Sequence, residues 1–117
     1  MGLDSYLYRA GAHVAVDPEL AYWRKCYDVT NWFSDHGQNL RDKLGMTDPY
    51  SEDGWQDYTR VVTGAQLIEL LEHARKRPWG REVGAVVEAD ITERQMLDVI
   101  GAPGFSPEQE FWFWSNP

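Results

Sequence analysis

The chain of 117 residues contains one cysteine, few basic residues and no long apolar run, and each shortage excludes a class of protein. Cys26 alone cannot form an internal disulfide, so the fold does not depend on a disulfide framework. The chain has 19 acidic residues against 11 basic ones, which gives a net charge of −8. A general binder of the phosphate backbone needs a basic face, so we expect no sequence-specific DNA binding.

No stretch approaches the roughly 18 consecutive apolar residues of a membrane-spanning helix, so no membrane association is expected. The N-terminus lacks the basic-then-apolar pattern of a signal peptide, and Tyr6 stands where N-myristoylation requires serine or threonine. These features predict a cytoplasmic protein. The length fits a single domain over residues 1–117 that can bury a core without a metal.

Aromatic residues are abundant, with six tryptophans, six tyrosines and four phenylalanines. Five of them fall within residues 20–37. Asp17 and Pro18 form a typical helix start, which predicts a helix over about 18–36 that Gly37 ends. At 100° per residue, one side of this helix collects the candidate core residues Trp23, Cys26, Val29, Thr30 and Phe33.

Trp32 lies away from that side of the predicted helix, next to Lys25, where a helix normally carries a polar residue. Two explanations are open. A second element could cover the ring, such as the long loop with Trp55 or the terminal strand, or the ring could contact a partner. We predict a recognition surface that contains Trp32 and Lys25, with Arg24 across the polar face. The other candidate binding residues are Trp55, Trp112 and Trp114.

The rest of the chain predicts an α+β domain, a small antiparallel sheet with about three helices packed on one face. Alternation predicts a first strand over residues 3–8, with Tyr6 and Tyr8 on the face opposite Leu7. Residues 38–57 form a long acidic loop with a short helical turn at 38–44. A second strand is predicted over 57–62.

Thr63 to Gln66 form a capping-box pattern that opens a second long helix. Its apolar side contains Leu67, Leu70, Leu71 and Ala74. Residues 79–89 fit either a strand or a short helix. A third helix is predicted from Asp90 or Thr92 to just before Gly101, with Met96, Leu97 and Ile100 as its apolar side.

The segment Glu110–Trp114 alternates as a strand, with two phenylalanines on one face and Trp112 and Trp114 on the other. Large rings on both faces require cover on both. Either another part of the chain, such as the 38–57 loop, covers the tryptophans, or a second copy does. We favour a homodimer, because a terminal strand near a sheet edge is well placed to pair.

The start Met1-Gly2-Leu3-Asp4 with Tyr6-Leu7, then Ala21-Tyr22-Trp23-Arg24-Lys25 and Trp32-Phe33, resembles a family of small uncharacterised bacteriophage and prophage proteins. The resemblance covers about the first third of the chain. It implies a role in an infected bacterial host and no particular activity. Family members often carry Ala-Asn after the Arg-Lys pair and His two positions before Trp-Phe, where this chain has Cys26, Tyr27 and Thr30.

Catalytic and metal-binding patterns are weak, so we predict no catalytic residue, no metal site and no cofactor. The only helical pair with metal spacing is Glu69 with His73, which is more typical of a solvated helix face. The acidic segment 48–54 fails the EF-hand pattern, because aligning its glycine puts Pro49 where the first acid belongs. Cys26 lies on the core stripe and is expected to be an inert buried thiol.

Three functions are compatible with these features. The first is a non-enzymatic, phage-type protein that binds a host protein, in counter-defence or host takeover. The second is a protein that sequesters a small molecule or nucleotide, whose base stacks on rings while basic side chains meet the phosphate, namely Arg24, Lys25, Arg75 or Arg81. The third is an acidic nucleic-acid mimic, which is disfavoured because the acids are spread among basic residues along the chain.

Overall fold

A computed structural model describes residues 3–14, 16–46 and 58–116, and within them it shows an α+β fold of five strands and four helices. The strands are β1 (Asp4–Arg9), β2 (Ala21–Arg24), β3 (Gln38–Asn39), β4 (Thr59–Thr63) and β5 (Glu110–Asn116). The helices are α1 (Tyr27–His36), α2 (Leu40–Lys43), α3 (Gly64–Arg75) and α4 (Val83–Ile100). The predicted fold class is therefore confirmed, with one helix more than expected.

The sheet is antiparallel throughout and has the order β2-β1-β5-β4-β3. β5 is therefore the central strand, with β1 and β4 bonded to its two sides. The prediction that the terminal strand lies near a sheet edge is wrong. A strand inside a sheet has a neighbouring strand on each side. Large side chains on both of its faces can therefore pack against side chains of two neighbours, which fits the position of β5.

One face of the sheet packs against the helices and forms the core. Phe113 of β5 stacks on Phe33 of α1, with ring centroids 3.9 Å apart and planes 11° apart. Trp23 of β2 meets Phe113 edge to face at 5.8 Å, and its indole N–H donates to Thr92 Oγ1 of α4 at 3.0 Å. These contacts join the sheet to the helical layer, and we call this side of the sheet the core face.

The predicted helix over 18–36 is wrong in about its first half, because residues 21–24 form β2 and α1 begins only at Tyr27. Exposure alternates along β2, with Ala21 and Trp23 buried, as expected for a strand with one covered face. Asp17 does not cap a helix. Its carboxylate accepts a hydrogen bond from the His13 backbone N–H at 2.7 Å, which closes a turn.

The true start of α1 is capped from a distant part of the chain. Cys26, at the N-cap position, makes no side-chain capping bond, and the Val29 N–H instead donates to Glu88 Oε1 of α4 at 2.7 Å. Burial raises the pKa of Glu88. A cap supplied by another helix leaves no local signal, so the sequence pattern favoured the wrong start.

The end of α1 lies at His36, as predicted, with Gly37 as the C-cap residue. The Gly37 N–H donates to the Phe33 carbonyl at 2.8 Å. Its φ of −89° is available to any residue, so the glycine is not required for backbone conformation. A Cβ at this position would lie 2.8 Å from the Cβ of Arg60, so close approach to β4 is what favours glycine here.

The prediction for α3 is confirmed in detail. Thr63 and Gln66 form both bonds of the capping box, and the predicted apolar side is buried, namely Leu67, Leu70, Leu71 and Ala74.

The helix α2 matches the turn predicted within 38–44. Residues 47–57, which follow it, lie outside the described residues. Trp55 and the acidic segment 48–54 lie among these residues. The strand predicted over 57–62 is β4, and only residue 57 of that prediction lies outside the described residues.

α4 starts at Val83, several residues earlier than predicted, and residues 83–89 are helical. Its buried side contains two polar residues, Glu88 and Thr92, with Ala89, Met96 and Val99. Leu97, predicted to face the core, is 44% exposed. Glu88 and Thr92 interrupt the apolar stripe of α4 in the sequence. For this reason the predicted helix begins too late and its predicted buried side is rotated away from the true one.

Candidate binding face

The sheet face opposite the core face carries a row of large rings, which we call the aromatic face. It consists of Tyr22 of β2, Tyr6 of β1, and Trp112 and Trp114 of β5, all of which keep part of their surface exposed. Tyr6 is paired with Tyr22 on one side and Trp114 on the other. Strand alternation fixes the orientation of these residues, because their sequence neighbours point into the core.

Ring contacts hold the row together. The Tyr6 and Tyr22 rings lie 5.0 Å apart between centroids, and the Tyr6 and Trp114 rings stack at 5.5 Å with planes 22° apart. Cross-strand aromatic pairs of this kind stabilise a sheet and restrict the side-chain rotamers. Other residues of the same face are buried, namely Tyr8, Thr59 and Val61. The partly exposed rings therefore adjoin well-packed residues of the same face.

One end of the aromatic face is bounded by the connection between β1 and β2, and the space between them is a cleft of about 430 Å³. Its walls are ring surfaces of Tyr6, Tyr8 and Trp114 on the sheet side and Asp17, Pro18 and Glu19 on the loop side. The bond from His13 N–H to Asp17 orders the loop wall. We call this space the acidic cleft. Its volume is within the usual range for small ligand sites.

Negative charge dominates the surroundings of these rings. Burial raises the pKa of Tyr6, and the negative charges of Asp4 and Glu19 raise it further. The Tyr22 hydroxyl donates to Asp4 Oδ1 at 2.7 Å, and this bond raises the pKa of Tyr22. None of the described residues that line the acidic cleft is basic. A positive group entering the cleft therefore meets a favourable potential.

The predicted site residues are distributed over both sides of the sheet. Trp112 and Trp114 lie on the aromatic face, and so does Arg24, which stands opposite Asp4 in the register of β1 and β2. Lys25 follows β2 with a positive φ of 55° and is exposed. Its backbone N–H donates to the Leu3 carbonyl at 2.6 Å. Trp55 lies outside the described residues.

The placement of Trp32 on an exposed surface is wrong, since its side chain is only 6% exposed. Its ring stacks on His36 at 4.1 Å and meets Phe33 edge to face at 5.4 Å. α1 contacts both α4 and β4, and two neighbours widen the buried arc of a helix. Trp32 belongs to the helical layer, whereas Arg24 lies on the opposite face of the sheet, so the predicted surface around Trp32 is not formed.

Tyr6, Tyr22 and Glu19 were absent from the predicted site. Alternation within β1 already placed Tyr6 on the face opposite Leu7. The sequence therefore contained a signal that the Tyr6 ring, like those of Trp112 and Trp114, lies on the second face of its strand. Tyr22 was missed because the segment was assigned to a helix. Glu19 was missed for the same reason, because it directly follows the Asp17-Pro18 pair that was assigned as a helix start. One wrong secondary-structure assignment therefore hid two of the three residues.

A second cleft, of about 220 Å³, lies near the end of α1 and the ends of β4 and β5. It is lined by Arg60 and by the hydroxyl-bearing residues Thr30, Ser34, Tyr58 and Ser115. Thr30 Oγ1 donates to the Cys26 carbonyl at 2.9 Å. Arginine with neighbouring hydroxyls suits a small anion. This cleft is smaller than most sites for drug-sized ligands.

Other chemistry has little support in the described part of the chain. Burial raises the pKa of Cys26 to about 11, so the thiolate required of a nucleophile is scarce at neutral pH, as the sequence predicted for an inert thiol. Within the described residues, no group of three or more potential ligands could hold a metal ion. No helix among them is both long and apolar enough to cross a membrane.

Comparison of the chain with protein-family models, curated proteins and solved structures finds no match in any of the three.

Proposed function

We propose that the protein is a non-enzymatic binding protein of phage type, which recognises a host protein through its aromatic face. The observation that carries this proposal is the row of partly exposed rings on neighbouring strands, Tyr22, Tyr6 and Trp114, with Trp112 beside it. Tyrosine and tryptophan are the usual anchors of protein interfaces because each buries a large area and has few rotatable bonds.

The rigidity of the face adds to this support. The rings of Tyr22, Tyr6 and Trp114 pack on one another across three neighbouring strands, so little side-chain entropy remains to be lost on binding. A strand face is also better fixed than a loop. The face therefore resembles a preorganised binding surface more than an adaptable one.

The proposal is tested by capture from host lysate with the tagged protein and matched tyrosine variants. Tyr22→Ser removes a ring from the aromatic face, and Tyr27→Ser removes one that is 60% exposed on α1. We expect Tyr22→Ser to reduce capture of a stoichiometric partner, and Tyr27→Ser to leave it unchanged. Equal capture by both variants, with the circular dichroism of the native protein, would contradict the proposal.

Nucleotide sequestration is the second candidate, and the cleft around Arg60 favours it. The arrangement differs from the one expected, because the basic residue is Arg60, which alternates with Val61 and faces the helices, whereas the aromatic face lies on the opposite side of the sheet. A thermal-shift screen against nucleotides and inorganic phosphate tests this candidate, since a ligand of the native state raises the midpoint. A raised midpoint that Arg60→Met abolishes would support it.

A second copy of the chain is a competing occupant of the aromatic face. β5 is central, so dimerisation would have to bury the tryptophan side chains rather than extend the sheet through that strand. Sedimentation of the native protein beside Trp112→Ser/Trp114→Ser distinguishes these cases. A dimer that the double substitution dissociates would assign the face to self-association, and a native monomer at micromolar concentration would exclude it.

A further inference from the structure

The acidic cleft joins two features that separately have ordinary explanations. Rings on a sheet face often serve packing, and carboxylates on a connecting loop often serve solubility. Here Tyr6, Tyr8 and Trp114 line one side of the cleft, where Tyr6 and Trp114 keep part of their surface exposed, and Asp17 and Glu19 belong to the opposite wall. Electron-rich ring faces and carboxylates both favour a cation, and their effects add in a partly desolvated space.

We propose that the acidic cleft binds the ammonium or guanidinium group of a lysine or arginine side chain presented by the protein partner. This inference rests on the proposed function, and it specifies which kind of side chain of the protein partner the acidic cleft receives. The long apolar stem of either side chain would lie along Tyr6 and Trp114. The charged end would be held near Glu19.

Glu19 is the residue most directly available for the charge. Asp17 already accepts the His13 N–H, which commits one of its oxygens to the loop. Glu19 is exposed and lines the same cleft as Tyr6 and Trp114. Glu19 therefore combines proximity to the rings with access from solvent.

Charge also selects among the occupants. A phosphate-bearing ligand would meet the carboxylates of Asp17 and Glu19, with no basic residue among the described lining of the cleft. A second copy would bring the same net charge of −8 toward the face. A basic segment of a different protein is attracted over a distance of about 8 to 10 Å at ordinary ionic strength. The expected partner thus has a positive patch that includes a protruding lysine or arginine.

The test is a titration of the uniformly ¹⁵N-labelled protein at constant ionic strength, followed by amide and indole resonances. The probes are N-acetyl-arginine amide and N-acetyl-lysine amide, with N-acetyl-leucine amide as the neutral control and tetramethylammonium as a free organic cation. We expect saturable shifts at Tyr6, Glu19 and Trp114 with the two basic probes and none with the leucine probe.

Three variants assign the effect. Glu19→Gln keeps the size of the side chain and removes its charge, and we expect it to weaken binding of the basic probes by roughly three- to thirty-fold. Glu72→Gln makes the same charge change at an exposed position of α3 and should leave binding unchanged. Trp114→Leu should weaken binding while Glu19 is intact. If it disturbs the fold, the pair of glutamate variants still decides.

The outcomes separate the inference from the proposed function. Absence of saturable shifts, or equal affinity in Glu19→Gln and Glu72→Gln, overturns the cation site, even where Tyr22→Ser still abolishes partner capture. Shifts with tetramethylammonium but not with the two amides would assign the cleft to a free quaternary ammonium compound and overturn the assignment to a side chain. Loss of binding in Glu19→Gln alone, together with Tyr22-dependent capture, supports both.

Discussion

Two faces of one strand contain similar side chains and have different surroundings. In β5, Phe111 and Phe113 are at most 2% exposed beneath the helices, while Trp112 and Trp114 remain partly exposed on the other side. The strand residues themselves do not determine which face is covered. The helices decide it, because they supply the apolar surface that meets the phenylalanines. Aromatic content alone therefore does not distinguish a core from a surface.

The faces also differ in how their polar groups are used. In the helical layer, Glu88 and Thr92 are buried and each accepts a hydrogen bond, from the Val29 N–H and the Trp23 indole respectively. Among the described residues, no buried side-chain polar atom lacks a partner. Glu19, on the loop beside the aromatic face, is by contrast exposed. The buried polar groups of the helical layer are thus paired within the protein, whereas Glu19 keeps access to solvent.

The largest effect is expected on the core face. Phe113→Ala removes the ring that stacks on Phe33 and contacts Trp23, and it should lower the free energy of unfolding by about 3 to 5 kcal/mol. Chemical denaturation measures this change. A loss below about 1 kcal/mol would show that the helices do not depend on β5 for their packing.

The next effect concerns the distant cap of α1. Glu88→Ala leaves the Val29 N–H without its acceptor in a buried place, and we expect a loss of about 1 to 3 kcal/mol. Denaturation again measures it. Asp98→Ala, an exposed position of the same helix, is the comparison, and an equal loss in both variants would contradict a capping role for Glu88.

The same residue predicts a pH dependence. Because the folded-state pKa of Glu88 is raised, the native state holds this proton more tightly than the unfolded chain does. Its contribution to stability is therefore present at low pH and lost as pH rises through the folded-state pKa. Glu88→Gln cannot titrate and should lose less stability as pH rises above the ordinary pKa of a glutamate. Parallel stability curves for the two proteins would contradict this assignment.

A smaller effect is expected on the aromatic face, and it tests the comparison most directly. Trp112→Ala removes a partly exposed ring next to Phe113, and we expect a loss of about 1 to 2 kcal/mol, less than for Phe113→Ala. Denaturation of both variants under one set of conditions decides. Should the tryptophan cost as much as the phenylalanine, the aromatic face would be a second core and not a binding surface.

The smallest effect is a change in ionisation. The bond to Asp4 raises the pKa of Tyr22, so Asp4→Asn should lower it toward the ordinary value of a tyrosine. The ¹³Cζ resonance of Tyr22 reports this shift in a titration above about pH 9. Asp42→Asn, an exposed change on α2, is the control and should have no effect. If both variants lower the pKa equally, general charge and not the hydrogen bond is the cause.

Local patterns in the sequence predicted the parts of the fold that local contacts determine. The capping box of Thr63 and Gln66 fixed the start of α3, and strict alternation assigned both faces of β5. The start of α1 could not be predicted in the same way, because its cap is Glu88, 59 residues from Val29. Asp17 and Pro18 gave a strong local helix signal that competed with that distant contact. In the structure, Asp17 closes a turn instead of starting a helix.

The candidate site was predicted only in part, for a related reason. Trp112 and Trp114 followed from alternation within one strand. Tyr6 and Tyr22 join them only through the sheet order, in which β5 lies beside β1 and β1 beside β2. Glu19 joins them through the position of a connecting loop. Strand order and loop position depend on long-range pairing, which periodicity in a single sequence does not contain.

The central position of β5 has a consequence for the order in which the molecule forms. β5 follows every other described strand in the chain, yet it alone connects the β1–β2 pair with the β3–β4 pair. Asp4 pairs with Asn116 across nearly the whole sequence, so closing this register has a large entropic cost before it is rewarded. Until β5 enters, both halves of the sheet present an unpaired strand. During biosynthesis the nascent domain therefore has two additional open edges, those of β1 and β4, which are prone to wrong pairing until β5 covers them.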